Sequence, residues 1–524
     1  MEDGSMHLVP GRSVGFLTLG SSLHEILTTI KAEIKFFPKF HLYHDDLRPI
    51  LSPVQVVLPD NGLRLQFDGP DQRLRLIEVL DFSKTKLVYK DVEVFKPGEG
   101  QGVVSSGPAG PKFRHIYDKL LGPTYGGEYI PARLENLNAT GTYNLSYPGV
   151  AFNFPVQHSA YSPKKDFISL LSSSATGPAT SMAVFSGESW QKARSSLFTA
   201  TPPNPRSIHL SAKGKEGSPD EIELVKIHGE GRIELSRRTN PFWIILSETT
   251  PQDLIMELGA PDSIYRKHDH RLSIHKDRRT SDASDDSTVG LSPGDNIDSD
   301  QGSVVDTEDE DDWEDDEAAA LEAQEREVAA AEHFYNYYHH GFDILISQPV
   351  QLSPPSPTAE RQESEFQEDG ELSAQPLNHL TATKIIFHGN IPGSYQFNRH
   401  RRSRWTLEHV PSGSYREPLN SEMAFGDISG RLKDVFKSFY ESEEEERLQQ
   451  RGMALNRGWG DSPGSSCELL GGWEDGSGKK SKFANAGSGM VDGDGNVGNV
   501  ELFGFPGMIF EVLKNGAVSS LTVY

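Results

Sequence analysis

Cysteine is almost missing from this chain: its 524 residues hold one, Cys467. That excludes an intramolecular disulfide framework and a cysteine-based zinc site, and suits a reducing compartment. The N-X-S/T triplets at Asn138 and Asn144 then read as chance matches rather than glycosylation sites. Basic residues are also short, 51 Lys and Arg against 76 Asp and Glu, for a formal net charge of -25. A chain that neutralises nucleic-acid phosphates needs the opposite balance, so no nucleic-acid partner is expected. Long apolar runs are missing too. No stretch approaches the roughly 18 apolar residues of a bilayer span, and no transmembrane segment is expected. The first residues, MEDGSMHLVPGRSVGFLTLG, lack a basic region ahead of a sustained apolar core and do not read as a secretory signal. The expectation is a cytoplasmic protein.

What is present divides into folded and unfolded stretches. Hydrophobic residues make up 35% and charged residues 24%, with 49 Gly and 33 Pro, so a real core must coexist with long polar tracts. Residues about 278–330 are rich in Ser and Asp and include TEDEDDWEDDE, whose charges repel. A Ser/Pro-rich tract follows at about 352–378, and a Gly-rich one at 457–500. All three are expected to be disordered inserts.

Between them one pattern recurs. SSLHEILTTIKA offers a serine N-cap and Leu23, Ile26, Leu27 and Ile30 at helical spacing, followed by NGLRLQFDGPDQRLRLIEVLDF, two alternating runs joined by a turn. KFRHIYDKLLGPT, stopped by Gly122 and Pro123, precedes TYNLSYPGVAFNFPV and TSMAVFS. TTPQDLIMELGAPD, with Thr250 as N-cap, Pro251 at the first helical position and Asp253 at capping-box spacing, precedes HFYNYYHHGFDILI and TATKIIFHG. GRLKDVFKSFYESEEEERLQQ, with Leu432, Val435, Phe436 and Phe439 on one face, precedes FGFPGMIFEV and AVSSLTVY, which are split by Asn515-Gly516. A small or turn residue, Gly62, Gly149, Gly341 or Gly507, opens one strand of each copy. The expected fold class is therefore α+β: repeated helix plus antiparallel β-hairpin units, forming mixed or antiparallel sheets with helices on one side. Residues 12–248 would hold two units and 249–524 the other two, with the inserts.

Motifs of chemistry do not hold together. GDSPG at 460–464 matches a nucleophile elbow but lies in low complexity. GSGKKS near 476 departs from the phosphate-loop pattern, and DGDGNVGN has Val497 and Phe503 where a calcium loop needs Gly and Glu. His339-His340 and His268-x-His270 lack zincin spacing and read as surface or strand-edge histidines. No catalytic, cofactor-binding or metal-ligating residue is assigned. Thr307, ahead of acidic residues, matches an acidophilic kinase site of a kind common in disordered tracts. A hydrolase hidden in the core would show itself as a deep pocket with convergent polar groups. One local patch stands out, FNRHRRSRW at 397–405. Arg399, Arg401, Arg402 and Arg404 beside Trp405 would suit the phosphates of an anionic lipid or an acidic partner. The same stretch also reads as a solvated basic run balancing the acidic insert, or as a nuclear import signal.

The folded stretches resemble one known family, the phagosome assembly factors. GRSVGFLTLGSSLHEILTTI, FFPKFHLYHDDLRPILSPVQVVLPDNGLRLQFDGPDQRLRLIEVLDF, FRHIYDKLLGPTYGGEY, YPGVAFNFPV, FWIILSETTPQDLIMELGAPDSIYRKHD, FYNYYHHGFDILI and the closing hairpin carry the resemblance. It implies a non-enzymatic scaffold or regulatory factor of autophagy. Such a factor acts at the preautophagosomal structure with a WD40-propeller partner that engages phosphoinositides. Its alternative is a phosphoinositide or membrane-surface binding module in Golgi or endosomal vesicle trafficking. The family has no catalytic residues to carry over, and the inserts lie outside the resemblance.

Overall fold

The computed structural model describes residues 5–96, 110–131, 140–201, 221–237, 240–266, 332–349, 380–410, 417–456 and 499–524. The acidic and Ser/Pro-rich inserts, GDSPG, GSGKKS, DGDGNVGN, Asn138, His268, His270, Thr307 and Cys467 lie outside the described residues.

Four copies of one unit build the fold, each a helix or helical turn followed by a four-stranded antiparallel meander. In the first, helix Leu23–Ala32 leads to strands His41–Tyr43, Val54–Leu58, Leu63–Phe67 and Leu74–Val79. Ser22 caps the helix by accepting from the Glu25 backbone N–H at 3.2 Å, and Leu23, Ile26, Leu27 and Ile30 are buried as their spacing requires. The second opens with His115–Leu120, wound as a π-helical turn rather than the expected α-helix, and continues with Glu128–Ile130, Thr140–Tyr147, Val150–Gln157 and Ser181–Phe185. The third has helix Pro251–Leu258 with the reciprocal Thr250–Asp253 capping box, then Ser263–Arg266, His333–Tyr337, Phe342–Ser347 and Thr381–His388. The fourth has helix Phe425–Phe436, then Met453–Asn456, Asn499–Phe505, Met508–Leu513 and Val518–Val523. Phe439 falls beyond that helix and is exposed, because a 3-10 turn at Lys437–Phe439 breaks the helical register. Asn499 and Val500, read as part of the Gly-rich insert, already belong to a strand.

Gly62, Gly149, Gly341 and Gly507 each sit immediately before the third strand of their unit, at φ 64, 78, 91 and 72. The turn into that strand is left-handed in all four, a conformation open to glycine without a Cβ clash. The sequence likeness of YPGVAFNFPV and FGFPGMIFEV is therefore a likeness of position.

Units join in pairs through their fourth strands. Leu74–Val79 lies antiparallel to Ser181–Phe185, with Val79 opposite Met182, and Thr381–His388 lies antiparallel to Val518–Val523, with Phe387 opposite Leu521. Two eight-stranded sheets result. Each is accompanied by a five-stranded sheet of one pattern: Leu17–Thr18, Ser13–Val14, Ser5–Val9, Lys86–Tyr89 and Val92–Glu93 in the first half, and Phe242–Ile245, Arg232–Arg237, Ile222–Gly229, Trp405–Leu407 and Leu419–Asn420 in the second. These small sheets depart from a purely antiparallel scheme, since Ser5–Val9 runs parallel to Lys86–Tyr89 and Ile222–Gly229 parallel to Trp405–Leu407. Strands 222–245, grouped by sequence with the N-terminal part, are hydrogen-bonded into the C-terminal half.

Each half has its own core. Leu23, Phe67, Phe152 and Phe154 belong to the first, and Tyr337, Phe342, Phe387 and Phe510 to the second, all fully buried. Burying one such side chain stabilises by about 1.5–3 kcal/mol. One residue breaks the division: Phe397, from the second half, is buried in the core of the first.

Candidate functional site: the joint between the halves

The connection from the fourth meander strand to the parallel strand is 80–85 in the first half and 389–404 in the second. The longer segment lies across the first half and carries the joint. Gln72 and Asn390, both in the left-handed backbone region, exchange bonds: the Gln72 amide donates to the Asn390 carbonyl at 2.7 Å, and the Asn390 amide donates to Gln72 Oε1 at 2.7 Å. His24 Nε2 donates to the Arg399 carbonyl at 3.2 Å, and Asn515 donates to the Asp46 carbonyl at 3.0 Å. Ile50 from one half packs with Ile391 and Ala517 from the other as a small separate cluster.

The basic patch expected at the surface is turned inward. Arg401 and Arg402 are 8% and 4% exposed, Arg399 and Arg404 are half-buried, and Trp405 is 2% exposed, packed edge-on against Phe510. Arg402 fans its guanidinium over three carbonyls, donating from Nε to Pro70 at 2.7 Å, from Nη1 to Gly389 at 2.7 Å and from Nη2 to Ser421 at 3.1 Å. Arg404 reaches Glu422 at 2.6 Å and, across the joint, Asp71 at 2.5 Å. Arg401 Nη1 pairs with Glu221 at 2.5 Å, and Arg73 of the first half takes the same Glu221 oxygen at 2.7 Å. Arg75 pairs with Asp68 and donates to the Ala200 carbonyl at 2.7 Å. Burial pushes Arg401 and Arg402 down to about 10, since desolvation disfavours the charged form.

These groups surround a cavity of about 350 Å³, lined from the first half by Asp71, Arg73 and Arg75 and from the second by Glu221, Arg401, Arg402 and Arg404. The run Arg399–Arg404 signalled concentrated charge in the sequence. Nothing signalled Arg73 and Arg75, whose stretch DGPDQRLR reads as hairpin turn and strand and forms both.

Beside the cavity lies a cluster whose members are scattered in sequence. Asp343 accepts at Oδ1 from His400 Nε2 at 2.8 Å and from Asn336 at 2.8 Å, and at Oδ2 from His388 Nε2 at 2.9 Å. All four residues are buried. Burial alone would raise the Asp343 carboxyl, but the two imidazoles and the bonds they donate outweigh it and hold it well below the usual carboxylate range. Burial pushes His400 down to about 4 against the pull of Asp343. Two histidines and a carboxylate are a metal-ligand set by type. Their rings, however, stack at 3.7 Å with 12° between planes. A cation bound by both would have to lie near the plane of each ring, which parallel stacking does not allow, so the arrangement serves as a hydrogen-bonded clamp on a buried carboxylate. It ties both ends of the joint segment, His388 and His400, to strand Phe342–Ser347. His340, expected at the surface or at a strand edge, lies in the turn between strands His333–Tyr337 and Phe342–Ser347 and is 3% exposed, its ring stacked on Phe342. Asn144, the second N-X-S/T asparagine, is 3% exposed and bonded to Asn153, which leaves no room for a glycan.

One family model, described as phagosome assembly factor 1, matches residues 13–289 and 377–524, which hold most of both halves and the joint segment but not strands Ser5–Val9, His333–Tyr337 and Phe342–Ser347. The chain belongs to the phagosome assembly factor 1 family. Among curated relatives, a PHAF1 protein of Arabidopsis thaliana is 22% identical over 411 residues, covering 76% of this chain and 74% of the relative. One of Drosophila melanogaster is 21% identical, covering 76% and 72%, and one of Caenorhabditis elegans is 23% identical, covering 49% and 60%. No solved structure matches the chain significantly. Among the described residues, no helix of this family member is long and apolar enough to cross a membrane.

Proposed function

We propose that the chain is a non-enzymatic scaffold of autophagy, acting at the site of autophagosome formation with a WD40-propeller partner, as the family resemblance implies. The observation that carries this reading is the extent of the family match, which takes in most of both halves and the whole joint segment 389–404 rather than one grafted motif. A scaffold reading also suits the chemistry of the joint. The buried ionisable groups Asp343, His400, Arg401 and Arg402 are engaged with one another or with backbone, as positioning contacts are. Recruitment from the cytoplasm to the preautophagosomal structure completes the proposal.

Gene disruption tests it. Under starvation, autophagic flux should fall and the propeller partner should no longer gather at forming autophagosomes. Unchanged flux together with unchanged recruitment would sink the reading. Restoration of flux by a chain that folds but does not bind the propeller would sink the partner assignment alone.

A further inference from the structure

The cavity at the joint has more guanidinium than carboxylate around it. Among the described residues, five arginines line it, Arg73, Arg75, Arg401, Arg402 and Arg404, against three carboxylates, Asp71, Glu221 and Glu223, while Asp68 and Glu422 pair with these arginines without lining the cavity. Two of the pairing carboxylates are shared. Arg73 and Arg401 both take Glu221 Oε1, and Arg404 and Arg75 both approach Asp71. Arg402 has only carbonyl acceptors in its hydrogen bonds. Glu223, also on the wall, is exposed and stands at the solvent side.

A charged donor is left over on the wall. Arg401 is more than nine-tenths buried and its Nε has no hydrogen-bond partner among the described residues. A buried donor without a partner is destabilising, and more so when it is charged. A guanidinium in this position is suited to a phosphate group, which takes paired N–H donors and spreads its charge over several oxygens.

We propose that this cavity binds a phosphate-bearing anion, held between Arg73 and Arg75 of the first half and Arg401, Arg402 and Arg404 of the second. The ligand would share donors from both halves, so its binding free energy would add to the stability of the joint. Burial pushes Arg401 and Arg402 down to about 10, so both cations stand less solvated than surface arginines. The phosphate chemistry is common to a free phosphate compound and a phosphorylated lipid headgroup, and the volume admits either. The proposal stands apart from the scaffold reading: the starvation assay can fail while the cavity still binds phosphate.

Calorimetric titration of the full-length chain with inorganic phosphate, at constant ionic strength and with chloride as control, tests the site. Saturable binding and a phosphate-dependent rise in melting temperature are expected. Arg401→Met should weaken binding at least tenfold. Thr199→Trp, which puts a bulky ring on an exposed residue of the wall and leaves the core untouched, should do the same without lowering the melting temperature. Flotation with vesicles that carry or lack a monophosphorylated phosphatidylinositol separates the sources. Flotation lost in Thr199→Trp assigns a headgroup, and phosphate binding without flotation assigns a free compound. Absence of both, or phosphate binding that survives both substitutions, would overturn the proposal.

Discussion

The two halves share one strand order and differ in what a single connection does. In the first half, residues 80–85 merely turn the chain, whereas 389–404 in the second half place Phe397 in the other core and three arginines along the seam. Equivalent positions feel the difference. Arg64 and Asp343 each lie two residues after the left-handed glycine of their unit. Arg64 is partly exposed and pairs with Glu78 at 2.6 Å. Asp343 lies under the longer connection and is buried beneath two imidazoles. Length in one loop has turned a surface ion pair into a buried clamp, so the same topology carries different energetics.

The largest expected effect comes from removing the last 24 residues. They contain strands Met508–Leu513 and Val518–Val523, and the second of these joins the two meanders of its sheet. The truncated chain should lose the cooperative melting of the C-terminal half by circular dichroism. A melt identical to that of the full chain would disprove the equivalence of the halves. Met508, Phe510 and Val512 face the core as alternation requires, and Glu511 is also buried, accepting from Ser520 at 3.2 Å.

Phe397→Ala should come next, at about 3–5 kcal/mol, the usual cost of emptying a buried phenylalanine site. Denaturant titration should show the N-terminal half destabilised by a substitution in the C-terminal sequence. If only the C-terminal transition moved, the joint would be looser than the contacts imply.

A paired substitution then sets the clamp against its surface counterpart. Asp343→Ala leaves two imidazole donors and Asn336 without their acceptor and should cost about 3 kcal/mol or more. Arg64→Ala, removing a partly exposed pair, should cost about 1 kcal/mol or less. Equal losses would show that burial under residues 389–404 contributes nothing.

The equivalent glycines give a smaller contrast. A Cβ on Gly149 would clash with the Gly11 backbone, while one on Gly507 meets only the Tyr524 carbonyl, at 3.6 Å, among the described residues. Gly507→Ala should therefore cost about 1–2 kcal/mol for its left-handed backbone, and Gly149→Ala distinctly more. Thermal melts of the two variants check the order.

Acid should act through the joint. Burial holds His24 and His400 neutral, each down to about 4, whereas the unfolded chain takes up those protons near the ordinary 6.5. Their contribution is complete above about pH 6.5 and is lost as pH falls from there toward 4. Asp343, held below its ordinary value, contributes loss only at still lower pH. Stability measured from pH 7 to 4 should fall, and His400→Gln should flatten the slope.

Much of this fold was legible because its signals are local. Ser22 and Thr250 announce helices by bonds to residues three positions on, and the four turn glycines mark a backbone sign that other residues resist. The candidate site was not. The patch at 397–405 read as surface because charge in a sequence carries no depth, and Asp68, Asp71 and Glu221, which draw it inward, lie more than 150 residues away. The clamp was hidden for the same reason, with Asp343, His388 and His400 on separate segments.

By itself, the sequence determined the repeating helix-and-hairpin unit, since alternation, capping and turn chemistry act within a few residues, whereas the two further strands that make each hairpin a four-stranded meander were not legible in it. Tertiary structure alone decided that fourth strands pair two units into a sheet, that one long connection joins the halves, and that its arginines line a cavity. Those outcomes depend on which distant groups can desolvate together, and no neighbouring residue encodes that.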